Sequence, residues 1–372
     1  MTTPLKPTTE HFRSLDGLRG FACLAVVLHH CAGCIFVDGS NLAVAPHVLF
    51  FGCLGVEVFF ALSGFCLAFP IMSRPVDGTT WRRYAWHRVR RIVPPAWGAM
   101  LIFIGLGLAI RARSIEPFSS AQPVTIPANP LQALAMFLFW GRVYLNSSYW
   151  TLALEARWYF ALPLMLYVQR RYRPLGLFAG SVLIAVAYFL VRPSIGGAAS
   201  VAIGPLPLYL PLFGLGIIGA RVATAMPGSS AGEFPVTLLR AGLVSSIILV
   251  VVFTRSYSLT PSRILPSTLF AFFLLMSSLR DPVVKAFFSW RPLVWIGGFS
   301  YSLYLLHEVL INLCVAVFQP MGLSFPGQAL VYLVLVPLAL LPAAFGFHMI
   351  FERPFLRPRG FGGGATRPVA PV

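Results

Sequence analysis

The chain has 372 residues, 58% of them hydrophobic and 10% charged, with a mean hydropathy of +0.80, which excludes an ordinary soluble globular domain. The formal net charge of +17 would suit nucleic acid. The basic residues, however, gather in blocks such as 82–91 and 170–173 between apolar runs, as they do beside membrane crossings, and no nucleic-acid partner is needed to explain them.

The apolar runs place crossings near 14–36, 48–70, 93–110, 150–168, 174–192, 203–223, 236–254, 264–279, 294–318 and 327–351. Each approaches the twenty or so residues that cross a hydrocarbon core. The expected fold is therefore all-α: a polytopic membrane helical bundle of about ten transmembrane helices. The first thirteen residues are polar, and the span after them is read as a permanent helix rather than a cleaved signal. The run 131–140 is short for a crossing and is read as a re-entrant or interfacial segment. With ten crossings and a cytoplasmic N-terminus, most of the 28 basic residues fall on the cytoplasmic side. An eleventh crossing would invert the loop around Arg170, so both termini are expected in the cytoplasm. The reading divides the chain into a membrane domain, 1–356, and a Gly-, Pro- and Arg-rich disordered cytoplasmic tail, 357–372. No repeat of paired broken helices is visible.

The six cysteines (Cys23, Cys31, Cys34, Cys53, Cys66 and Cys314) lie in or beside apolar spans without a regular framework, which reads as buried free thiols. Cys31 and Cys34 stand near His29 and His30, but with no second cysteine pair no metal is expected.

A charge inside the bilayer costs at least about 2.5–3.5 kcal/mol, so polar groups within the spans are the functional candidates. The first span opens Leu15-Asp16-Gly17-Leu18-Arg19-Gly20 and reaches His30 eleven residues after Arg19. That spacing is about three turns, so both lie on one face about 16 Å apart. A cation at the base and a titratable imidazole deeper in suit a site that holds an anion and moves a proton. The second span carries Glu57 near its middle, where it must pair or be protonated. Ser63-Gly64 follows and reads as a tight helix contact. Arg88 and Arg91 lie three apart before Pro94, which is read as opening the third span; a guanidinium fork suits phosphate. Arg82, Arg83 and Arg90 read as topology determinants. The segment Trp150-Thr151-Leu152-Ala153-Leu154-Glu155 puts a carboxylate about 8 Å inside the fourth span. Arg157, two positions on, faces away and leaves Glu155 to meet another helix. In the ninth span Ser300, Tyr304 and His307 approximate one stripe, a polar seam turned toward protein.

These five segments, in order from Leu15 to about Leu310, resemble the acyltransferase 3 family of multi-spanning membrane acyltransferases. The resemblance rests on Arg19 with His30, Gly55 to Phe65, Arg88 with Arg91, Trp150 to Glu155, and Ser300 to His307. The chain departs from the family pattern at Glu57, where aspartate is usual. It departs also at Ala156, where a second acid is common, and at Glu308, where an aromatic is frequent; these bear on acceptor specificity rather than class. The resemblance implies an acyl-CoA donor, acetyl-CoA above all, and a hydroxyl or amine acceptor on a carbohydrate or small molecule, in a bacterial inner membrane. Arg19, Arg88 and Arg91 are then expected to hold coenzyme A phosphates. His30 would act as general base or transient acyl carrier, with His307, Tyr301 or Glu155 orienting it or polarising the thioester. Asp16, Glu57, Ser63 and Ser300 complete the candidate set. A proton-coupled transporter is the alternative from another class, disfavoured by the missing repeat. A lipid-linked glycosyltransferase is disfavoured by loops almost without Asp or Glu.

Overall fold

The structure, a computed structural model, describes residues 9–36, 51–72, 78–112, 130–138, 146, 148–195, 203–224, 235–253 and 261–356. The expected tail, 357–372, lies outside them. Among the described residues every regular element is helical, as a bilayer demands of a chain that must satisfy each backbone amide internally. The main helices are α1 (Thr9–Phe36), α2 (Leu54–Ala68), α3 (Gly78–Ala112), α4 (Pro130–Phe137), α5 (Tyr149–Val191), α6 (Leu210–Thr224), α7 (Val236–Phe253) and α8 (Pro261–Arg280). Two short helices follow, α9 (Pro282–Phe288) and α10 (Arg291–Gly298), then α11 (Ser300–Phe318). The described residues end in α12 (Phe325–Leu330), α13 (Val336–Phe347) and α14 (Arg353–Leu356), joined by π-helical turns at Val331–Leu335 and His348–Glu352. Eight helical stretches among the described residues are long and apolar enough to cross a membrane. The molecule is an all-α polytopic membrane bundle.

The longest of those stretches, Tyr149–Ser194, is two segments rather than one. Arg173 takes φ 63°, ψ 175° immediately before Pro174, a position where proline disfavours helix. The chain folds back there. Arg157 Nη1 reaches the Ile203 carbonyl at 3.3 Å and Tyr188 Oη the neighbouring Gly204 carbonyl at 2.7 Å, although a straight helix would hold residues 157 and 188 about 46 Å apart. The fifth and sixth expected crossings differ in kind. Residues 174–191 form a full helix, whereas the span expected at 203–223 is helical only from Leu210. Pro205, Pro207 and the left-handed Gly204 (φ 56°) precede it, and a helix begun at 203 would need, to close onto the Ile203 carbonyl, the amide that Pro207 lacks. Counting the folded-back pair as two and including α6, the described helices match the ten apolar runs. The third span also corrects an expectation: α3 runs unbroken from Gly78 through Pro94 and Pro95, so these prolines sit inside the helix and release the carbonyls of Arg90 and Arg91. At eight residues, about 12 Å, α4 is too short to cross.

Without a hydrophobic force between helices in lipid, close approach has to come from small residues and polar ties. A Cβ on Gly64 would fall on the Phe213 carbonyl and one on Gly216 on the Ala61 carbonyl, so α2 and α6 meet backbone to backbone. Trp158 fills the space beside them, with ring centroids 4.7 Å from Phe60 and 5.1 Å from Phe213. Glu57 pairs with Arg263 of α8 at 3.0 Å, both side chains buried. Asp281 caps α9 through the Val283 amide at 2.9 Å and binds Arg240 of α7 at 2.5 Å. The Arg240 hydrogen bond and charge, with the α9 amides, hold the Asp281 carboxyl below its ordinary value.

Candidate active site

Five helices each turn one polar stripe inward, because residues three and four apart share a helix face. The stripes line one pocket. Arg19 comes from α1, Ser63 and Cys66 from α2, Arg88 and Arg91 from α3, Glu155 and Tyr159 from α5, and Ser300, Tyr301 and Tyr304 from α11.

One part of the pocket is basic. Arg19 is braced by Asp16 Oδ1 at 2.8 Å and by Cys66 Sγ at 3.0 Å, so Asp16 stands behind it and aims it. The Arg88 guanidinium lies about 6 Å from the ring centroids of Tyr84 and Tyr159, at 5.9 and 6.0 Å, which orients a planar cation over aromatic faces. Glu155 meets α2, as its distance from Arg157 required, and accepts the Ser63 hydroxyl. Its carboxylate shares the pocket with the three arginines, so four side chains of mixed charge are held together away from lipid. Tyr301 Oη donates to the Ile92 carbonyl at 2.9 Å.

α1 and α11 run side by side in a common direction: Cys23 Sγ approaches the Ser300 carbonyl at 3.4 Å, and His30 meets His307 with ring centroids 4.9 Å apart. The same offset of 277 holds at both contacts. The histidine pair therefore lies beyond the basic part, on the far side of Tyr304. That residue's ring is 5.9 Å from Phe59 and 5.2 Å from His307, and its hydroxyl is 2.8 Å from Thr151 Oγ1. His30 Nδ1 is 2.9 Å from the Val26 carbonyl and His307 Nδ1 is 2.6 Å from the Tyr304 carbonyl. A carbonyl only accepts, so each Nδ1 carries the hydrogen. In the neutral rings Nε2 is then the basic atom.

Seven of the residues read from the sequence thus face one pocket: Arg19, Arg88, Arg91, Glu155, Tyr301, Ser63 and Ser300. His30 and His307 adjoin it through Tyr304. Glu57 stands apart in its pair with Arg263. Sequence reasoning did not single out Arg263, Cys66, Asn146 or Ser148. Asn146 and Ser148 lie just ahead of α5 and outside the Trp150–Glu155 motif, and nothing in their spacing marked them.

A family model described as an acyltransferase domain matches residues 12–347. Among curated sequences, the chain is 27% identical over 95% of its length to the putative peptidoglycan O-acetyltransferase YrhL of Bacillus subtilis, covering 56% of that protein. It is 26% identical over 83% of its length to the acyltransferase MdmB of Streptomyces mycarofaciens, covering 81% of it. It is 23% identical over 85% of its length to the peptidoglycan O-acetyltransferase OatA of Listeria monocytogenes, covering 52% of it. The chain spans about half the length of the two peptidoglycan O-acetyltransferases. No solved structure matches it.

Proposed function

The chain belongs to the acyltransferase 3 family, and on that premise we propose that it moves an acyl group, acetyl above all, from acyl-CoA to a hydroxyl or amine of a carbohydrate such as peptidoglycan. The single observation that carries this reading is a pocket lined by three arginines, with a histidine pair adjoining it, in which Arg19 and His30 stand about 16 Å apart along α1. An anion at one place and a proton acceptor at the other is the arrangement a long thioester with a phosphorylated handle requires.

Arg19, Arg88 and Arg91 bind the coenzyme A phosphates through charge-assisted hydrogen bonds. Glu155, held by Ser63, limits repulsion among the guanidinium groups. The acyl thioester then lies toward Tyr304. His30, its Nδ1 hydrogen fixed on the Val26 carbonyl, takes the acceptor hydroxyl's proton on Nε2 as the oxygen attacks the thioester carbon. The C–O bond forms, the C–S bond breaks, and the coenzyme A thiolate recovers the proton. The Tyr301 hydroxyl donates to the Ile92 carbonyl at 2.9 Å and the Tyr304 hydroxyl to the Ser148 carbonyl at 3.2 Å, so either would turn from its backbone acceptor to serve the developing oxyanion. The bacterial inner membrane with both termini in the cytoplasm would put the arginines on the side that holds acyl-CoA.

Incubating the protein in lipid nanodiscs with radiolabelled acetyl-CoA and a bacterial envelope carbohydrate extract tests this. Label should enter carbohydrate only when protein and donor are both present. Carbohydrate that stays unlabelled at saturating donor would overturn the reading.

A further inference from the structure

His307 and Glu308 are neighbours on α11 and both are buried, yet they point about 100° apart and meet different helices. His307 faces His30 on α1. Glu308 faces the segment ahead of α5, where its Oε2 accepts from the Ser148 amide at 2.7 Å and the Ser148 hydroxyl at 2.6 Å. Asn146 fixes that segment to α11, donating to the Leu305 carbonyl at 2.9 Å while its Oδ1 accepts the Ser148 amide at 2.9 Å. A carboxylate buried this way needs such donors, but one detail goes further. Ser148 Oγ also stands 3.4 Å from His307 Nε2.

A serine hydroxyl has one proton, and the short contact with Glu308 takes it. In neutral His307 the Nε2 lone pair therefore faces a serine lone pair and no hydrogen bond joins them. Once Nε2 is protonated, it donates to Ser148 Oγ, which already donates to the carboxylate. The line imidazolium, hydroxyl, carboxylate is complete only in the charged state. The titratable groups facing His307 are His30 and His29 from α1 and Tyr304 and Glu308 from its own helix. Among these, Glu308 supplies the negative charge, and His30, with its ring centroid 4.9 Å away, opposes a second positive one.

We propose that Glu308, through the Ser148 hydroxyl, is a positioning residue that lets His307 hold a proton on Nε2 beside a neutral His30. The proposal rests on the acyl-transfer reading only for its use, which is to store the proton between its removal from the acceptor and its return to the thiolate. The geometry itself is independent of it. Glu308 stands where the family resemblance leads one to expect an aromatic, so the device belongs to this chain rather than to the general pattern.

The test is nitrogen NMR of histidine-labelled protein in nanodiscs, titrated from pH 5 to 9, with the His307 signal identified by its loss in His307→Gln. Glu308→Gln should lower the proton affinity of His307 about tenfold or more, the size expected when a nearby opposite charge is removed. Ser148→Ala should shift it the same way while keeping the carboxylate and the backbone donor. Glu308→Asp should stay near wild type. A His307 titration unmoved in Ser148→Ala and Glu308→Gln overturns the proposal; if Glu308→Gln does not fold, Ser148→Ala decides alone. Transfer assays of His30→Ala separate the two readings: retained transfer with a shifted His307 sinks the catalytic reading and leaves the relay standing. Lost transfer with an unmoved His307 sinks only the relay.

Discussion

Replacing Glu57 by glutamine leaves the Arg263 guanidinium without its carboxylate in a place where the two side chains are 1% and 8% exposed. The ion pair is 3.0 Å between Nη2 and Oε1, which puts the charge centres about 4 Å apart. At an effective dielectric near 20 their attraction is about 4 kcal/mol, and breaking a buried pair from one side costs about 3–5 kcal/mol because the other charge is stranded. Removing both, as Glu57→Leu with Arg263→Met, removes the desolvation cost as well and should leave the protein within about 1 kcal/mol of wild type. Tryptophan-monitored unfolding in detergent reads both values. The reasoning fails if Glu57→Gln unfolds like wild type, or if the double variant loses as much as the two single losses added together.

Other expectations follow from the same contacts. Arg91→Ala and Arg88→Ala each remove one charged phosphate donor, worth about 1.5–3 kcal/mol, and should raise KM for acetyl-CoA about ten- to hundredfold with a smaller change in kcat; an unchanged KM in both would remove the arginines from the donor site. Gly64→Leu drives a side chain into the Phe213 carbonyl and should prevent α2 and α6 from packing. Gly33→Ala, which meets nothing within 4 Å, should raise stability by about 0.5–1 kcal/mol; thermal midpoints distinguish the two. Asp281→Ala removes the α9 cap at a cost of about 1–2 kcal/mol. Because the folded carboxyl titrates below its ordinary 3.8, the share of stability owed to the Arg240 pair is present above that pH and disappears as pH falls through the folded value. The gap between Asp281→Ala and wild type should therefore be constant above about pH 5 and narrow below 3.8; a gap independent of pH would contradict it.

Much of this molecule is legible in its sequence. Apolar length gave the crossings, because lipid leaves the backbone no alternative to helix, and charge at 170–173 marked the turn that the structure bends at Arg173. Helical spacing grouped Arg19 with His30, Arg88 with Arg91, and Ser300 with Tyr304, since a face is a property of one helix alone. Contacts between helices were less legible. That Glu57 needed a partner followed from its depth, but its being Arg263, more than two hundred residues away, depends on which helices pack. Pro94 looked like a helix start, yet α3 absorbs it, because the surrounding bundle outweighs one or two lost amides. Ser148 carried no signal of its own. Its role arises where the start of α5 meets the His307–Glu308 turn, a junction that no periodicity encodes.

The histidine next to the pocket carries the central claim, and one comparison reaches it most directly. In nanodiscs, with radiolabelled acetyl-CoA and carbohydrate acceptor, wild type and His30→Ala are assayed for label transferred per minute after thermal midpoints confirm that both are folded. General-base catalysis of this kind is worth about 10²–10⁴ in rate, so His30→Ala should lose at least a hundredfold while still binding acetyl-CoA through its arginines. Transfer by folded His30→Ala at the wild-type rate would contradict the assignment.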